Sequence, residues 1–169
     1  MKNLYLFSLM LLFFSCEKQI CIIGENMASC ALEDGEEWFA EEASFRFLSA
    51  HKKNISIRIT SHNFMKEFNF TNIPFQLGDH KLEYDKDLQE KNAKPYARLA
   101  CIDYDAVFCS YGLDTTAIPA FITIDEISSD SAIIRGTFEM SFKLEYNAHP
   151  SLQEFTTYEQ GTFFASLVQ

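Results

Sequence analysis

The chain has 169 residues, 24 of them Asp or Glu against 14 Lys or Arg, and a formal net charge of −10. That length suits one domain with a core of its own. The acidity excludes a nucleic-acid-binding surface and an electrostatic hold on anionic lipid headgroups. Phenylalanine is abundant (17) and glycine sparse (6).

The first element is apolar. Met1-Lys2-Asn3 gives a short positive start, and Leu4 to Phe14 is an apolar run broken only by Tyr5 and Ser8. Eleven helical residues reach about 16 Å at 1.5 Å each, short of the about 20 residues needed to span a bilayer. The run has the size of a secretory hydrophobic region. Ser15 then precedes Cys16, as a peptidase cutting before cysteine requires. The stretch resembles a bacterial lipoprotein signal with its lipobox, although Phe13 stands where leucine is usual. The resemblance implies that residues 1–15 are removed and that Cys16 becomes the first residue, carrying acyl chains such as palmitate. Two or more acyl chains anchor a protein stably, where one does so only marginally. Without the signal, 13 basic side chains face 24 acidic ones, a balance of −11.

Residues 16–35 read as the lipidated terminus and a linker, and residues 36–169 as a β domain. Glu33-Asp34-Gly35-Glu36-Glu37 lacks the alternating ligands and closing glutamate of a calcium loop, so it reads as a solvated lead-in to the first strand. Four cysteines follow Cys16: Cys21, Cys30, Cys101 and Cys109. In an exported chain they allow two disulfides in three connectivities, with free thiols as the alternative. Their spacings do not suit a zinc knuckle.

Period-two patterns dominate the rest. They predict strands at Trp38 to Leu48, at Ile55 to Thr60, and around Phe68 and Phe70. Residues 72–79 read as a turn with a short extended piece, and 85–94 as a short helix or long loop. Further strands are expected over Ile118 to Ile124, over Phe138 to Leu144, and from Gly161 to Val168. Seven to ten strands joined by polar turns predict an all-β fold, an antiparallel β-sandwich or barrel.

Arg98 to Ser110 raises a choice. As one strand it would hold Cys101 and Cys109 roughly 26 Å apart at about 3.3 Å per residue. With a turn at Asp103-Tyr104-Asp105 the two face each other across a hairpin. Opposed Cβ atoms then lie about 4.5–5.5 Å apart, close to disulfide distance. The hairpin is the expectation, which leaves Cys21 to pair with Cys30.

Chemistry-bearing motifs are few. His51, His62, His80 and His149 are scattered near loops and read as surface residues, with no helical i, i+4 metal pair. Asp103-x-Asp105 reads as turn chemistry rather than an acid pair. There is no nucleophile elbow, P-loop or dinucleotide fingerprint, so neither a cofactor nor a catalytic residue is assigned and no metal site is expected. Asn54-Ile55-Ser56 and Asn69-Phe70-Thr71 match glycosylation sequons that a bacterial lipoprotein would ignore. Phe45, Phe47, Phe68, Phe70, Phe138 and Phe142 either pack a core or wall a cavity for one apolar ligand.

Three places carry a family likeness: Trp38-Phe39-Ala40 after the linker, "FITIDEISSDSAIIRGTFEMSF" from Phe121 to Phe142, and Gly161-Thr162-Phe163 near the end. In the second, Ile134 and Phe138 are expected to face the core. Gly136 is expected where a side chain would crowd a neighbour or a bulge is needed. Over residues 36–168 the chain resembles a set of uncharacterised Bacteroidota lipoproteins with a β domain of unknown function. The resemblance implies a lipid-anchored protein of the cell envelope, at the outer membrane, with no transferable catalytic residues.

The expectation is therefore a non-enzymatic binding module for a glycan, peptide or envelope protein, held to the membrane through acylated Cys16. Trp38, Tyr104 and Tyr111 are its candidate ligand-contact aromatics, as exposed platforms. The alternatives are a lipocalin-like carrier of a small apolar ligand and an immunity or inhibitor lipoprotein with a basic partner.

Overall fold

The computed structural model describes residues 27–61, 66–84, 94–103, 106–148 and 152–168. The signal segment, Cys16, Cys21, His62, the stretch 85–93, Tyr104, Asp105 and His149 lie outside them. The described residues form eleven strands and no helix: β1 (Ser29–Glu33), β2 (Glu36–Ala40), β3 (Glu42–Phe47), β4 (Asn54–Ser61), β5 (Lys66–Pro74), β6 (Gly78–Lys81), β7 (Tyr96–Asp103), β8 (Ala106–Asp114), β9 (Phe121–Ile127), β10 (Ile133–Asn147) and β11 (Phe155–Leu167).

The all-β expectation holds. Neighbours pair in the order β3-β4-β5-β7-β8-β10-β11, and β11 then pairs back with β3. Seven strands thus close a ring, and the fold is barrel-like. The last pairing is the one parallel contact among the described residues, Ser166 with Ser44 and Leu167 with Phe45, so the sheet is mixed rather than purely antiparallel. β1 and β2 extend the sheet from the first part of β11, and β9 and β6 extend it from the first part of β10.

The described strands number eleven where seven to ten were expected, and two elements differ in placement. β1 lies inside the stretch read as linker, and Ser29, Cys30 and Ala31 in it are fully buried. The Trp38–Leu48 strand is split at Glu41, because β2 pairs with β1 whereas β3 pairs with β11 and β4. Asp34 and Gly35 join β1 to β2 with φ of 51° and 87°. Positive φ at both central residues is what a type I′ two-residue hairpin turn demands, and Asp-Gly meets it cheaply. The charged run is therefore a hairpin turn, not a lead-in.

The 98–110 hairpin forms as expected. Cys101 and Cys109 are register partners, 4.9 Å apart at Cα, and are joined by a disulfide. Cys30 is disulfide-bonded too; Cys21, its expected partner, lies outside the described residues.

β10 and β11 form a long hairpin that brings two Gly-Thr-Phe triplets together. Gly136 opposes Phe163, Thr137 opposes Thr162, and Phe138 opposes Gly161. Each phenyl ring lies over the opposite glycine. A Cβ on Gly161 would fall 2.4 Å from the Phe138 ring, and one on Gly136 would fall 2.7 Å from that of Phe163. The same Gly136 Cβ would stand 1.9 Å from the Thr123 carbonyl oxygen of β9. The β9–β10 register also shifts between Arg135 and Gly136. Gly136 thus meets both expectations, a close approach and a bulge.

The ring's interior is packed. Ile55, Ile57 and Ile59 of β4 are fully buried, as their alternation predicts. Phe68 sits at the centre, its ring 5.0 Å from Trp38, 4.7 Å from Tyr158, 5.8 Å from Phe142, 5.9 Å from Phe138 and 6.3 Å from Phe70. Those separations are ordinary for touching aromatic rings. Phe45 packs with Phe47 and Phe75 in a second group. The six phenylalanines considered as cavity walls therefore contact other rings. His80, read as a surface residue, is buried on β6, with Nε2 3.0 Å from the Gln76 carbonyl.

Candidate functional site at the mouth of the ring

The β1–β2 hairpin, the ends of β4, β7 and β10 and the starts of β5, β8 and β11 lie together at one end of the ring. Between them opens a cleft of about 460 Å³, within the usual size of a small-ligand site. Its rim carries Glu33, Asp34, Glu36 and Glu37 from the β1–β2 hairpin and Lys66 from β5. Its inner wall is apolar and aromatic: Trp38, Leu99, Tyr111 and Leu152, with the disulfide at Cys101 beside them. A more open groove of about 640 Å³ runs outside the β3–β11 seam between Glu41, Arg58 and Phe164. The mouth joins its charged rim to a wall that carries two aromatic residues, Trp38 and Tyr111.

The hairpin turn is fastened to β11. The Asp34 N–H donates to the Thr157 carbonyl at 2.9 Å, and the Thr157 N–H donates to Asp34 Oδ1 at 2.8 Å. Thr156 Oγ1 donates to Asp34 Oδ2 at 3.0 Å. Glu33 is held from two sides. Lys66 forms an ion pair with its Oε1, and the Tyr158 hydroxyl donates to the same oxygen at 2.7 Å. Both ionic side chains are about one-fifth exposed. Such pairs position more than they stabilise, because desolvation offsets much of the attraction.

Tyr158 is fully buried. Burial pushes its hydroxyl well above the ordinary tyrosine value, and the neighbouring Glu33 charge raises it further. Tyr111 is raised as well, by burial first and then by Glu33 and Asp34. Its hydroxyl donates to the Gln153 carbonyl at 3.1 Å, tying β8 to the β10–β11 connection. A tyrosine whose folded pKa exceeds its unfolded value, about 10, contributes fully below that pH. The contribution is lost as pH climbs towards the folded value. Stability should therefore be insensitive to these tyrosines up to about pH 10 and fall above it. In a tyrosinate absorbance titration, Tyr158 should ionise last and together with unfolding. The late component should vanish in Tyr158→Phe, and its survival there would refute the assignment.

The structure brings together two of the three nominated aromatics. Trp38 and Tyr111 both line the mouth, but at 3% and 5% exposure neither is an exposed platform. They face inward because β2 and β8 alternate in register with the core. Tyr104 lies outside the described residues. Sequence reasoning missed Glu33, Lys66 and Tyr158; the Asp34-Gly35 turn signature was the signal that would have placed Glu33 on a hairpin. The Trp38 indole Nε1 is buried and has no hydrogen-bond partner among the described residues. Buried N–H groups are rarely left so.

No family model, no curated protein and no solved structure matches this chain.

Proposed function

We propose that this chain is a lipid-anchored, non-catalytic binding module of the cell envelope that takes its partner at the mouth of the ring. The observation that carries the reading is the cleft itself, where an acidic rim meets an aromatic wall at one end of a closed ring of strands. Rigid strands with loops gathered at one end are a common setting for recognition. The rings packed within the interior favour recognition at the mouth over carriage of an apolar ligand inside.

The anchor rests on the sequence. Cys16 would carry the acyl chains, residues 1–15 would be the signal, and the outer membrane is the membrane proposed. A second reading is supported by the charge. At −11 after signal removal, an immunity or inhibitor lipoprotein would suit a basic partner.

Two measurements test the proposal. Cys16→Ser should abolish acyl labelling and release the chain from the membrane fraction; label that persists would sink the anchor. A photo-crosslinking residue at Gln153, beside the cleft, should give adducts in the intact envelope. The same residue at His51, on the β3–β4 connection at the opposite end, should not. Equal labelling at both positions would remove the mouth as the recognition site.

A further inference from the structure

Resting on the anchor at Cys16, we infer that the end of the ring opposite the mouth is a docking face for a phosphate-bearing lipid surface, with Arg46, Lys52 and Lys53 meeting the phosphates and Leu48, Leu77 and Val168 entering the headgroup layer. That end holds the β3–β4 connection, the β5–β6 connection and the end of β11. Main-chain bonds tie the three together. The Leu48 N–H donates to the Asn54 carbonyl at 3.0 Å, the Phe75 N–H to the Lys53 carbonyl at 2.9 Å, and the Val168 N–H to the Phe45 carbonyl at 2.9 Å. Phe47 and Phe75 pack 4.9 Å apart beneath them, and Lys52 Nζ stands 5.1 Å from the centre of the Phe47 ring. Leu48, Leu77 and Val168 stay exposed at 39%, 61% and 56%.

The charge here runs against that of the chain. From Ala43 to Lys66 there is no Asp or Glu and there are five Lys or Arg, in a chain of net charge −10. Most described cations are matched: Arg58, Lys66, Lys94, Arg98, Arg135 and Lys143 each pair with a carboxylate. Arg46, Lys52 and Lys53 are exposed and form no ion pair among the described residues, a condition shared only with Lys81 of β6. The acids of this end stand on β6 and about the β9–β10 turn. Asp79 accepts from Thr123, Asp130 accepts from Ser128, and Glu126 pairs with Arg135, with Asp125 exposed beside them. The β3–β4 side is therefore the basic one.

Overall acidity excludes a hold spread over the whole surface. At physiological ionic strength, however, charges act over only about 8 Å, so the end that faces the bilayer sets the sign. The mouth, with four carboxylates and Lys66, would be repelled. The described chain begins at Met27, and β1 runs from there towards the mouth. Residues 17–26 would reach about 35 Å if extended, so an anchor at Cys16 keeps the domain near lipid and lets either end meet it. Charge then selects the end. Acyl anchoring is stabilised by a neighbouring basic patch, and lysine stems lie along apolar surface with the ammonium in the polar layer. With this end on lipid the mouth points away from the bilayer. A crosslinker at His51 then meets lipid rather than protein, so it adds no protein adduct to the comparison with Gln153.

The test places the acylated mature chain in vesicles of phosphatidylethanolamine, with and without phosphatidylglycerol, carrying an environment-sensitive dye at Leu77→Cys or at Glu36→Cys. With the anionic lipid, emission from position 77 should shift to the blue and be quenched by spin-labelled lipid, and high salt should reverse both. Position 36 should emit as in water. Arg46→Glu with Lys52→Glu and Lys53→Glu should cut the docked fraction at least about tenfold, without releasing the chain from the vesicles or lowering the melting temperature. Lys52→Gln with Lys53→Gln should act in the same direction at smaller size. A shift at position 77 in native envelopes but on no pure lipid would overturn the lipid face in favour of an acidic protein. Quenching at position 36 instead, or at neither position in chains that float with the vesicles, would overturn the docking face and leave the anchor standing. Chains that carry no acyl group and do not float with the vesicles would overturn both.

Discussion

Phe68→Ala should destabilise the domain by about 3–5 kcal/mol, the range for deleting a fully buried aromatic ring. Phe68 has no exposed surface, and its ring meets five others: Trp38, Phe70, Phe138, Phe142 and Tyr158. Those neighbours come from β2, β5, β10 and β11, so the space left behind is walled by four strands that are themselves hydrogen-bonded and cannot collapse into it. The cost lies in lost burial and in the cavity together. Urea titration should move the midpoint down with little change in slope, which is the mark of altered stability rather than altered compactness. Phe68→Leu, which keeps most of the volume, should recover more than half of the loss. A Phe68→Ala cost below about 1 kcal/mol would mean that the ring is not the centre of the core.

Gly136→Ala is the second large effect, expected at about 2–3 kcal/mol, the upper part of the range for overpacking. The added methyl would stand 1.9 Å from the Thr123 carbonyl oxygen and 2.7 Å from the Phe163 ring. A side chain can rotate away, but a main-chain carbonyl in a β9–β10 pairing can move only if the strands part. Gly161→Ala isolates the difference, because the three atoms nearest its methyl all belong to the ring of Phe138 rather than to backbone. It should cost less than Gly136→Ala by the same titration. The reverse order would place the strain in the rings rather than in the backbone.

The alternating stretches were legible because one face of each strand is buried and the period-two signal survives. Ile55, Ile57 and Ile59 are the clearest case, and the Cys101–Cys109 hairpin followed from strand length and disulfide reach alone. β1 was not legible. Ser-Cys-Ala-Leu-Glu is buried at three successive residues, so alternation is lost, and its polar neighbours give it a linker's composition. Ring closure was not legible either, since the parallel β3–β11 contact involves residues far apart in the chain and leaves no local mark. Trp38 and Tyr111 were nominated for their chemistry. Their meeting in one cleft depends on β2 folding back on β1 through Asp34-Gly35, a tertiary outcome no local pattern encodes. The pairing of the two Gly-Thr-Phe triplets was written in the sequence, but only register turns the repetition into two glycines lying under two rings.

Native mass spectrometry of the mature chain, isolated from the envelope of a host that acylates it and measured before and after organic extraction, tests the filled ring most directly. A ring packed by its own phenylalanines should give the mass of the acylated chain with no extractable apolar adduct. Two disulfides should lower that mass by about 4 Da against the reduced chain. An apolar molecule that is retained in the native spectrum and lost on extraction would contradict the filled interior, and with it the placing of recognition at the mouth.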